Sequence, residues 1–307
     1  MKDKNFLERT FVVCLLAMLC CFLWGSAFPC IKIGYQMFQI SSDQTMSQIL
    51  FAGVRFTLAG ILVILFGSIL SRKILLPKRS SCKSILIICL FQTVIQYLFF
   101  YIGMAHTSGV KASIVEASNV FLAILVANLI FHQEKLTFSK ILGCVIGFAG
   151  VILINLTGSG LGGGMTMTGE GFILLSAAAY AVSSVLIKRF SVYENPVVIS
   201  GYQFMIGGLI MIVVGLAGGG SLHPTSPASA LMMLYMALIS AVAYTIWGIL
   251  LKYNPVSRVA VFGFMNPVFG VVLSALLLKE GSQIPFLQCA VSLVLVCLGI
   301  YIVNKNN

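Results

Sequence analysis

Apolar residues run along this chain in long stretches, which short polar segments interrupt. A helix needs about 20 mostly apolar residues to cross a lipid bilayer. By that measure we predict ten membrane-spanning helices, at residues 11–36, 47–70, 84–105, 110–131, 138–156, 170–190, 196–217, 229–251, 257–278 and 285–303. The connections between them are short. The pattern therefore predicts an all-α integral membrane protein with no soluble domain.

The composition supports the membrane class. Of the 307 residues, 59% are hydrophobic and 9% are charged, and the mean hydropathy is +1.05. Soluble domains carry about 25% charged residues. A soluble chain of this composition could not cover its surface with polar groups, so that class is excluded.

The net charge of +11 does not indicate a nucleic-acid partner, because the basic residues sit in short clusters between apolar stretches. Fifteen of them fall on the side of the N-terminus, whereas Lys111 and Lys279 fall on the other side. This bias predicts that both termini are cytoplasmic in a multi-pass protein of the plasma membrane. The first stretch resembles a signal peptide, but it continues past Pro29, so we expect it to remain as a span.

Seven of the nine cysteines lie inside apolar stretches, and their spacing is not that of a zinc site. We interpret them as reduced, buried side chains. We predict no metal site, no catalytic residue and no cofactor.

The two halves of the chain resemble each other. At an offset of 148, "FAGVRFTLAGILVILFG" (51–67) aligns with "ISGYQFMIGGLIMIVVG" (199–215), with glycine on glycine three times and Arg55 on Gln203. Five spans per half is an odd number, so the second half enters the membrane from the opposite side. We predict two inverted five-helix repeats, residues 1–157 and 158–307, an arrangement used by secondary transporters. The glycine-rich joint at 157–169 lacks the ending of a phosphate-binding loop.

Four motifs, "FLWGSAFPCIKIG" (22–34), "VRFTLAG" (54–60), "IFHQEKL" (130–136) and "NPVFGVVLSALLLKEG" (266–281), resemble the EamA-type family of the drug/metabolite transporter superfamily. The resemblance implies ten helices in two inverted repeats that export small metabolites or drugs. The motif positions here are Trp24, Gly25, Lys32, Arg55, Glu134, Pro267 and Glu280. The family often has a proline early in the fourth span, and this chain has none there, so we expect a straighter fourth helix.

Polar groups within a membrane usually face a bundle interior or a watered cavity. Helices 1, 2, 3, 4, 6, 8 and 9 carry such groups, several at helical spacing. The predicted substrate pathway comprises Trp24, Lys32, Arg55, Gln92, Gln96, Glu116, Asn119, Ser176, Tyr180, Ser184, Ser240, Tyr244, Trp247 and Asn266. For the small polar residues the alternative is that they join helices without touching substrate.

Three charged residues, Lys32, Arg55 and Glu116, fall in the half of the membrane opposite the N-terminus. We hypothesise that Glu116 meets Arg55 or Lys32 when the outer mouth is closed, which leaves one cation for a substrate carboxylate. The alternative is that each long side chain reaches the headgroups alone. Glu134 and Glu280 are interpreted as helix-end anchors.

The leading function is a secondary transporter that exports a small polar or amphipathic metabolite, such as an amino acid. Alternatives are an importer or a lipid-linked sugar translocator of the same superfamily and, remotely, an intramembrane enzyme. The expected partners are a small-molecule substrate and membrane lipid. The fifth and tenth helices have almost no polar interior, so they are interpreted as scaffold or as the face of a homodimer. Proton-coupled and facilitative transport both remain open.

Overall fold

The computed structural model describes residues 6–41, 43–106, 115–155, 166–277 and 286–305. In these ranges the fold is all-helical, with ten helical segments. They are α1 (Thr10–Met37), α2 (Thr45–Ser71), α3 (82–106), α4 (115–130), α5 (Phe138–Asn155), α6 (Met167–Phe190), α7 (Pro196–Ala217), α8 (Pro227–Tyr253), α9 (256–277) and α10 (Phe286–Lys305).

Six of these segments, α1, α2, α3, α6, α7 and α8, are long and apolar enough to cross a membrane. Shorter apolar helices occur in α4, α5 and α10. The predicted all-helical, membrane-embedded class is therefore confirmed, whereas the crossing of the membrane by all ten helices stays a prediction. Lys111, Lys279, Glu280 and most of the 157–169 joint lie outside the described residues.

The closest helix pair is α2 with α7, and glycine explains its closeness. A methyl group on Gly60 would lie 2.5 Å from the carbonyl oxygen of Gly201, and one on Gly53 would lie 2.9 Å from that of Gly208. Such small residues allow two backbones in a membrane to touch and gain van der Waals contact. Positions rise along α2 as they fall along α7, so the two helices run antiparallel.

A second glycine-mediated pair joins α5 to α10. A methyl group on Gly299 would lie 2.5 Å from the carbonyl oxygen of Gly143, and one on Gly150 would lie 2.8 Å from that of Ser292. The helices interpreted as scaffold thus pack on each other within one chain. Between these two pairs, α1 packs on α8 and α9, while α6 packs on α3 and α4.

Several helices of the bundle are irregular. α3 contains a π-helical turn at Cys89–Ile95, and α9 contains a 3₁₀ turn at Val261–Phe264. Pro267 explains the second, because a proline has no N–H to donate to residue i−4 and its ring crowds that carbonyl.

The expectation of a straighter fourth helix is wrong. α4 is interrupted by a turn at residues 117–118, and it is π-helical at Val126–Ile130. The turn closes with bonds of the tighter i−3 type, from Ser118 N to Val115 O at 3.0 Å and from Val120 N to Ala117 O at 3.3 Å. Ser and Asn at 118 and 119 favour such a break, because their side chains compete with helical hydrogen bonding.

The two ends of the bundle are tied differently. At the end that α1 reaches at Met37, here called the distal end, the α7–α8 connection folds over α1. Thr225 N and Ser229 Oγ donate to Met37 O at 3.0 and 3.1 Å, and Ser221 N donates to Ser47 Oγ at 3.1 Å. The other end, where α1 begins, is called the proximal end. It carries the polar network described below.

Candidate functional site

A cavity of about 120 Å³ lies between helices of both halves of the chain. A single water needs roughly 10–15 Å³ of such volume, so this space admits a small organic molecule. On α1 the lining residues Trp24, Ala27 and Ile31 lie about 9–20 Å from the distal end of the helix and about 21–32 Å from its proximal end, at 1.5 Å per residue. The cavity therefore occupies the middle and distal part of the bundle.

Eight of the predicted pathway residues line this cavity. They are Trp24, Arg55, Gln96, Glu116, Asn119, Tyr180, Tyr244 and Asn266. The other lining residues are Ala27, Ile31, Tyr97, Phe100, Ala117, Gly263 and Pro267. The breaks in α4 and α9 supply Ala117 and Gly263, so both irregular turns border the cavity.

Aromatic rings form one wall of the cavity. The Trp24 and Tyr244 rings meet edge to face with centroids 4.9 Å apart, and the Tyr97 and Tyr244 hydroxyls are hydrogen-bonded at 2.5 Å. Edge-to-face packing of this kind adds about 0.5–1.5 kcal/mol per pair beyond the burial of area. The wall is thus held rigid by contacts between α1, α3 and α8.

Arg55 brings a cation to the cavity and is itself 3% exposed. Its Nη2 donates to Ser240 Oγ at 2.9 Å, and its Nε lies 3.2 Å from both Ser240 Oγ and Met236 O. The Phe56 ring lies beneath the guanidinium, 5.3 Å from Cζ to the centroid. These partners, all from the described part of the chain, are neutral, so α8 solvates the positive charge without cancelling it.

Glu116 brings a carboxyl group to the same cavity. Its Oε1 accepts one long hydrogen bond from Asn119 Nδ2 at 3.5 Å, and its Oε2 is buried with no hydrogen-bond partner among the described residues. The proposed contact between Glu116 and Arg55 is thus not made in this conformation. Because that contact was expected for a closed outer mouth, the hypothesis stays untested.

Gln92 does not line the cavity, although Gln96 does. A spacing of four places two residues on one face of an α-helix, but the π-helical turn at Cys89–Ile95 has more residues per turn. The face therefore changes between the two glutamines, and Gln92 is buried at 1% exposure with its Nε2 unpartnered.

The remaining predicted residues also lie away from the cavity. Lys32 is exposed, Ser176 is fully buried, and Ser184 Oγ donates to Tyr180 O within its own helix at 3.0 Å. Ser240 does not line the cavity, but its hydroxyl accepts a hydrogen bond from Arg55, which does. Trp247 is 2% exposed and packs on Trp24, with ring centroids 4.9 Å apart, so it lies one layer behind the wall.

Two aromatic lining residues, Tyr97 and Phe100, were not predicted. A signal for Phe100 was present in the sequence, because it follows Gln96 by four residues in a regular part of α3. Extending the Gln96 face by one helical turn would have found it. The sequence holds no such signal for Tyr97, because its position depends on the hydrogen bond between its hydroxyl and that of Tyr244 on α8.

The proximal end is closed by a buried carboxylate. Glu134 Oε2 forms an ion pair with Lys140 Nζ at 2.8 Å, and both side chains are about 5% exposed. Glu134 Oε1 accepts from Ser257 N at 3.1 Å, and Oε2 accepts from the Ser257 hydroxyl. The residue interpreted as a helix-end anchor therefore ties the end of α4 to the starts of α5 and α9.

A second set of polar contacts closes the same end around Asn254. Its Nδ2 donates to Leu7 O at 2.9 Å, and its Oδ1 accepts from Arg258 Nη1 at 3.2 Å. Arg258 Nη2 donates to Thr10 Oγ1 at 2.8 Å, and Lys188 Nζ donates to Asn254 O. α1, α6, α8 and α9 are joined here, beneath the cavity.

The described residues contain no group of three or more His, Cys, Asp or Glu side chains placed to hold a metal ion. Eight cysteines in the described part of the chain are free thiols. The chemistry of the cavity therefore comes from aromatic rings, amides, one carboxyl group and one guanidinium.

Apolar helices around a charged and aromatic cavity are the architecture of a membrane transporter. A model of the EamA-like transporter family matches the chain over residues 11–156 and 167–305, and the chain belongs to that family. The match falls into two segments, one in each half.

Several curated relatives are named as transporters. A WAT1-related chloroplastic protein of Arabidopsis thaliana is 25% identical over 92% of this chain and 67% of its own length. A probable amino-acid metabolite efflux pump of Salmonella typhimurium is 26% identical over 94% and 93%. A solved crystal structure, 17% identical, superposes with a TM-score of 0.77 over 96% of both chains, which shows a shared fold.

Proposed function

We propose that this chain is a secondary transporter that exports small polar or amphipathic metabolites, with amino acids as natural candidates. The observation that carries the proposal is one cavity, closed at the proximal end by buried polar contacts and lined in the distal part by residues of both halves. The name of the Salmonella relative supports the direction and the substrate class. Neither the cavity nor the relatives point to an enzyme.

We further propose that transport proceeds by alternating access between two inverted repeats, 1–157 and 158–307. The packing supports this, because the contacts between the halves come in matched pairs: α3 with α6 corresponds to α8 with α1, and α4 with α6 corresponds to α9 with α1. The glycine contacts 53–208 and 60–201 correspond in the same way at the offset of 148. With the positive-inside bias, the proximal end is cytoplasmic in the plasma membrane, and this conformation faces outward.

Transport is tested with purified protein in liposomes loaded with a labelled amino acid mixture. Exit of the label in exchange for unlabelled amino acids added outside (counterflow) would support carrier function if protein-free liposomes do not show it. Hydrolysis or modification of the labelled compounds without net movement would refute it.

The conformational part is tested with a thiol label. In a background without native cysteines, Ala27→Cys lies in the cavity and should react with a membrane-impermeant maleimide from the distal side. Glu134→Gln should slow this reaction several-fold by weakening the proximal closure. The control is Arg189→Ala, which changes an exposed residue outside the Glu134 contacts and should not slow the reaction. Equal labelling in both variants would exclude Glu134 as part of the closure.

A further inference from the structure

We propose that the cavity contains a subsite for an ammonium group, formed by Glu116, Gln96 and Asn266, so that transported substrates carry a protonated amine. This inference rests on the proposed transport function and deepens it by naming one half of the substrate chemistry. It begins from the polar atoms of the cavity that have no partner.

Three buried acceptor atoms of the cavity have no hydrogen-bond donor among the described residues: Gln96 Oε1, Glu116 Oε2 and Asn266 Oδ1. Gln96 as a residue is 6% exposed. A buried acceptor without a partner is costly, because it has lost its water and gained nothing in return. Three of them around one space indicate a missing donor.

An ammonium group fits this set. It carries three N–H donors and no acceptor, which matches three unpartnered oxygen atoms. Its charge also matches the Glu116 carboxyl group, which has no cation partner among the described residues.

The aromatic wall favours the same group. Trp24, Tyr97 and Tyr244 border the space with their rings, and a cation close to such a ring is attracted by the negative face of its π system. A hydroxyl or amide ligand would gain less from both features. The guanidinium of Arg55 lines the same cavity, so a zwitterion would direct its carboxylate to α2 and its ammonium to α4 and α9.

The test uses ligands that share an apolar part and differ in their charged groups. Phenethylamine, phenylalanine and 3-phenylpropionate share a phenyl ring, and butylamine with butyrate provides a smaller pair. Binding to the purified protein in detergent is measured by calorimetry and by thermal shift. We expect both amines to bind, and we expect phenylalanine to bind at least tenfold more tightly than 3-phenylpropionate, which has the same carbon skeleton without the ammonium group.

Glu116→Gln should weaken amine binding by about 10–100-fold, the effect of losing a charge-assisted hydrogen bond, and should not weaken binding of the acids. Glu8→Gln, which changes an acidic residue at the proximal end, is the matched control. If Glu116→Gln fails to fold, Gln96→Leu removes one acceptor at nearly constant volume and should weaken amine binding severalfold.

Amine binding that Glu116→Gln and Gln96→Leu leave within twofold of the wild type overturns the subsite. So does equal binding of phenylalanine and 3-phenylpropionate, or no binding of either amine at millimolar concentration. Transport is scored separately. Amine binding without counterflow would refute the transport proposal alone, and counterflow of acids without amine binding would refute the subsite alone.

Discussion

Arg55 Nη2 lies 2.9 Å from Ser240 Oγ, so a cation on α2 is held by a hydroxyl on α8. The Met236 carbonyl completes the contact at 3.2 Å. An arginine at the centre of an apolar stretch is costly in lipid, and here the protein itself solvates the guanidinium. Neutral partners leave the charge in place, so its attraction for an anion in the cavity persists.

Arg55→Ala should lower the free energy of unfolding by about 2–4 kcal/mol, because it removes the hydrogen bonds of a buried guanidinium to Ser240 and Met236 and leaves its space empty. The measurement is thermal or denaturant unfolding of purified protein, followed by tryptophan fluorescence. Arg189→Ala, at an exposed position, should change stability by no more than about 0.5 kcal/mol. Equal stability of the two variants would contradict the contact.

Gly60→Ala should destabilise the protein by about 2–3 kcal/mol or more, because its new methyl group would lie 2.5 Å from backbone atoms of α7 that cannot rotate away. Gly248→Ala is the matched control. A methyl group there meets its nearest atoms at 3.6 Å, and the gain in helix propensity should make it neutral or stabilising by up to about 1 kcal/mol. Unfolding midpoints of the two variants in one detergent decide the question.

Trp247→Ala should cost about 3–5 kcal/mol of stability, since the side chain is 2% exposed and leaves a cavity behind Trp24. From the sequence alone we would expect weakened transport with the fold largely intact. Leu231→Ala on the same helix removes an exposed side chain and should cost far less. If Trp247→Ala unfolds at the same temperature as the wild type, the packing role of Trp247 is refuted.

Glu194 should make stability depend on pH. Burial alone would raise the pKa of Glu194, but the N–H groups of Lys78 and Asn195, both at 2.9 Å, and the Ser81 hydroxyl hold this pKa below its ordinary value. A lowered pKa means that the stabilisation is complete above the ordinary value of about 4.3 and is lost as the pH falls through the folded-state pKa.

Glu194→Gln should therefore be less stable than the wild type by about 1–2 kcal/mol at neutral pH. The difference should shrink towards zero as the pH falls below the ordinary value and through the lowered folded-state pKa of Glu194, where the wild-type carboxyl group also becomes neutral. Melting curves of both proteins across this range provide the measurement. A difference that stays constant with pH would show that the charge of Glu194 contributes nothing.

Helix positions could be predicted from the sequence because membrane spans depend on local composition. The predicted span 196–217 and the helix Pro196–Ala217 coincide, since Asn195 caps the helix by accepting from Val197 N at 3.0 Å and a proline follows it. Both signals are local.

The layout of the cavity could be predicted only in part. Periodicity pointed to Tyr180 and Tyr244, which line the cavity, but it assumes regular helices, and the π turn in α3 places Gln92 and Gln96 on different faces. Trp247 and Glu134 depend on contacts with distant helices, which spacing does not encode. For Glu134 the deciding partner, Ser257, lies 123 residues away along the chain.

The glycine contacts between α2 and α7 have a mechanical consequence. Gly53 against Gly208 and Gly60 against Gly201 form a pattern that stays the same when the two helices exchange places. Backbones this close cannot slide along each other without collision, but they can tilt. In the proposed alternating-access mechanism, the two halves tilt relative to each other about this contact. Because glycine has no side chain, the two helices pivot there on their backbones, and the larger side chains of Ile64 and Ile212 pack beside the pivot.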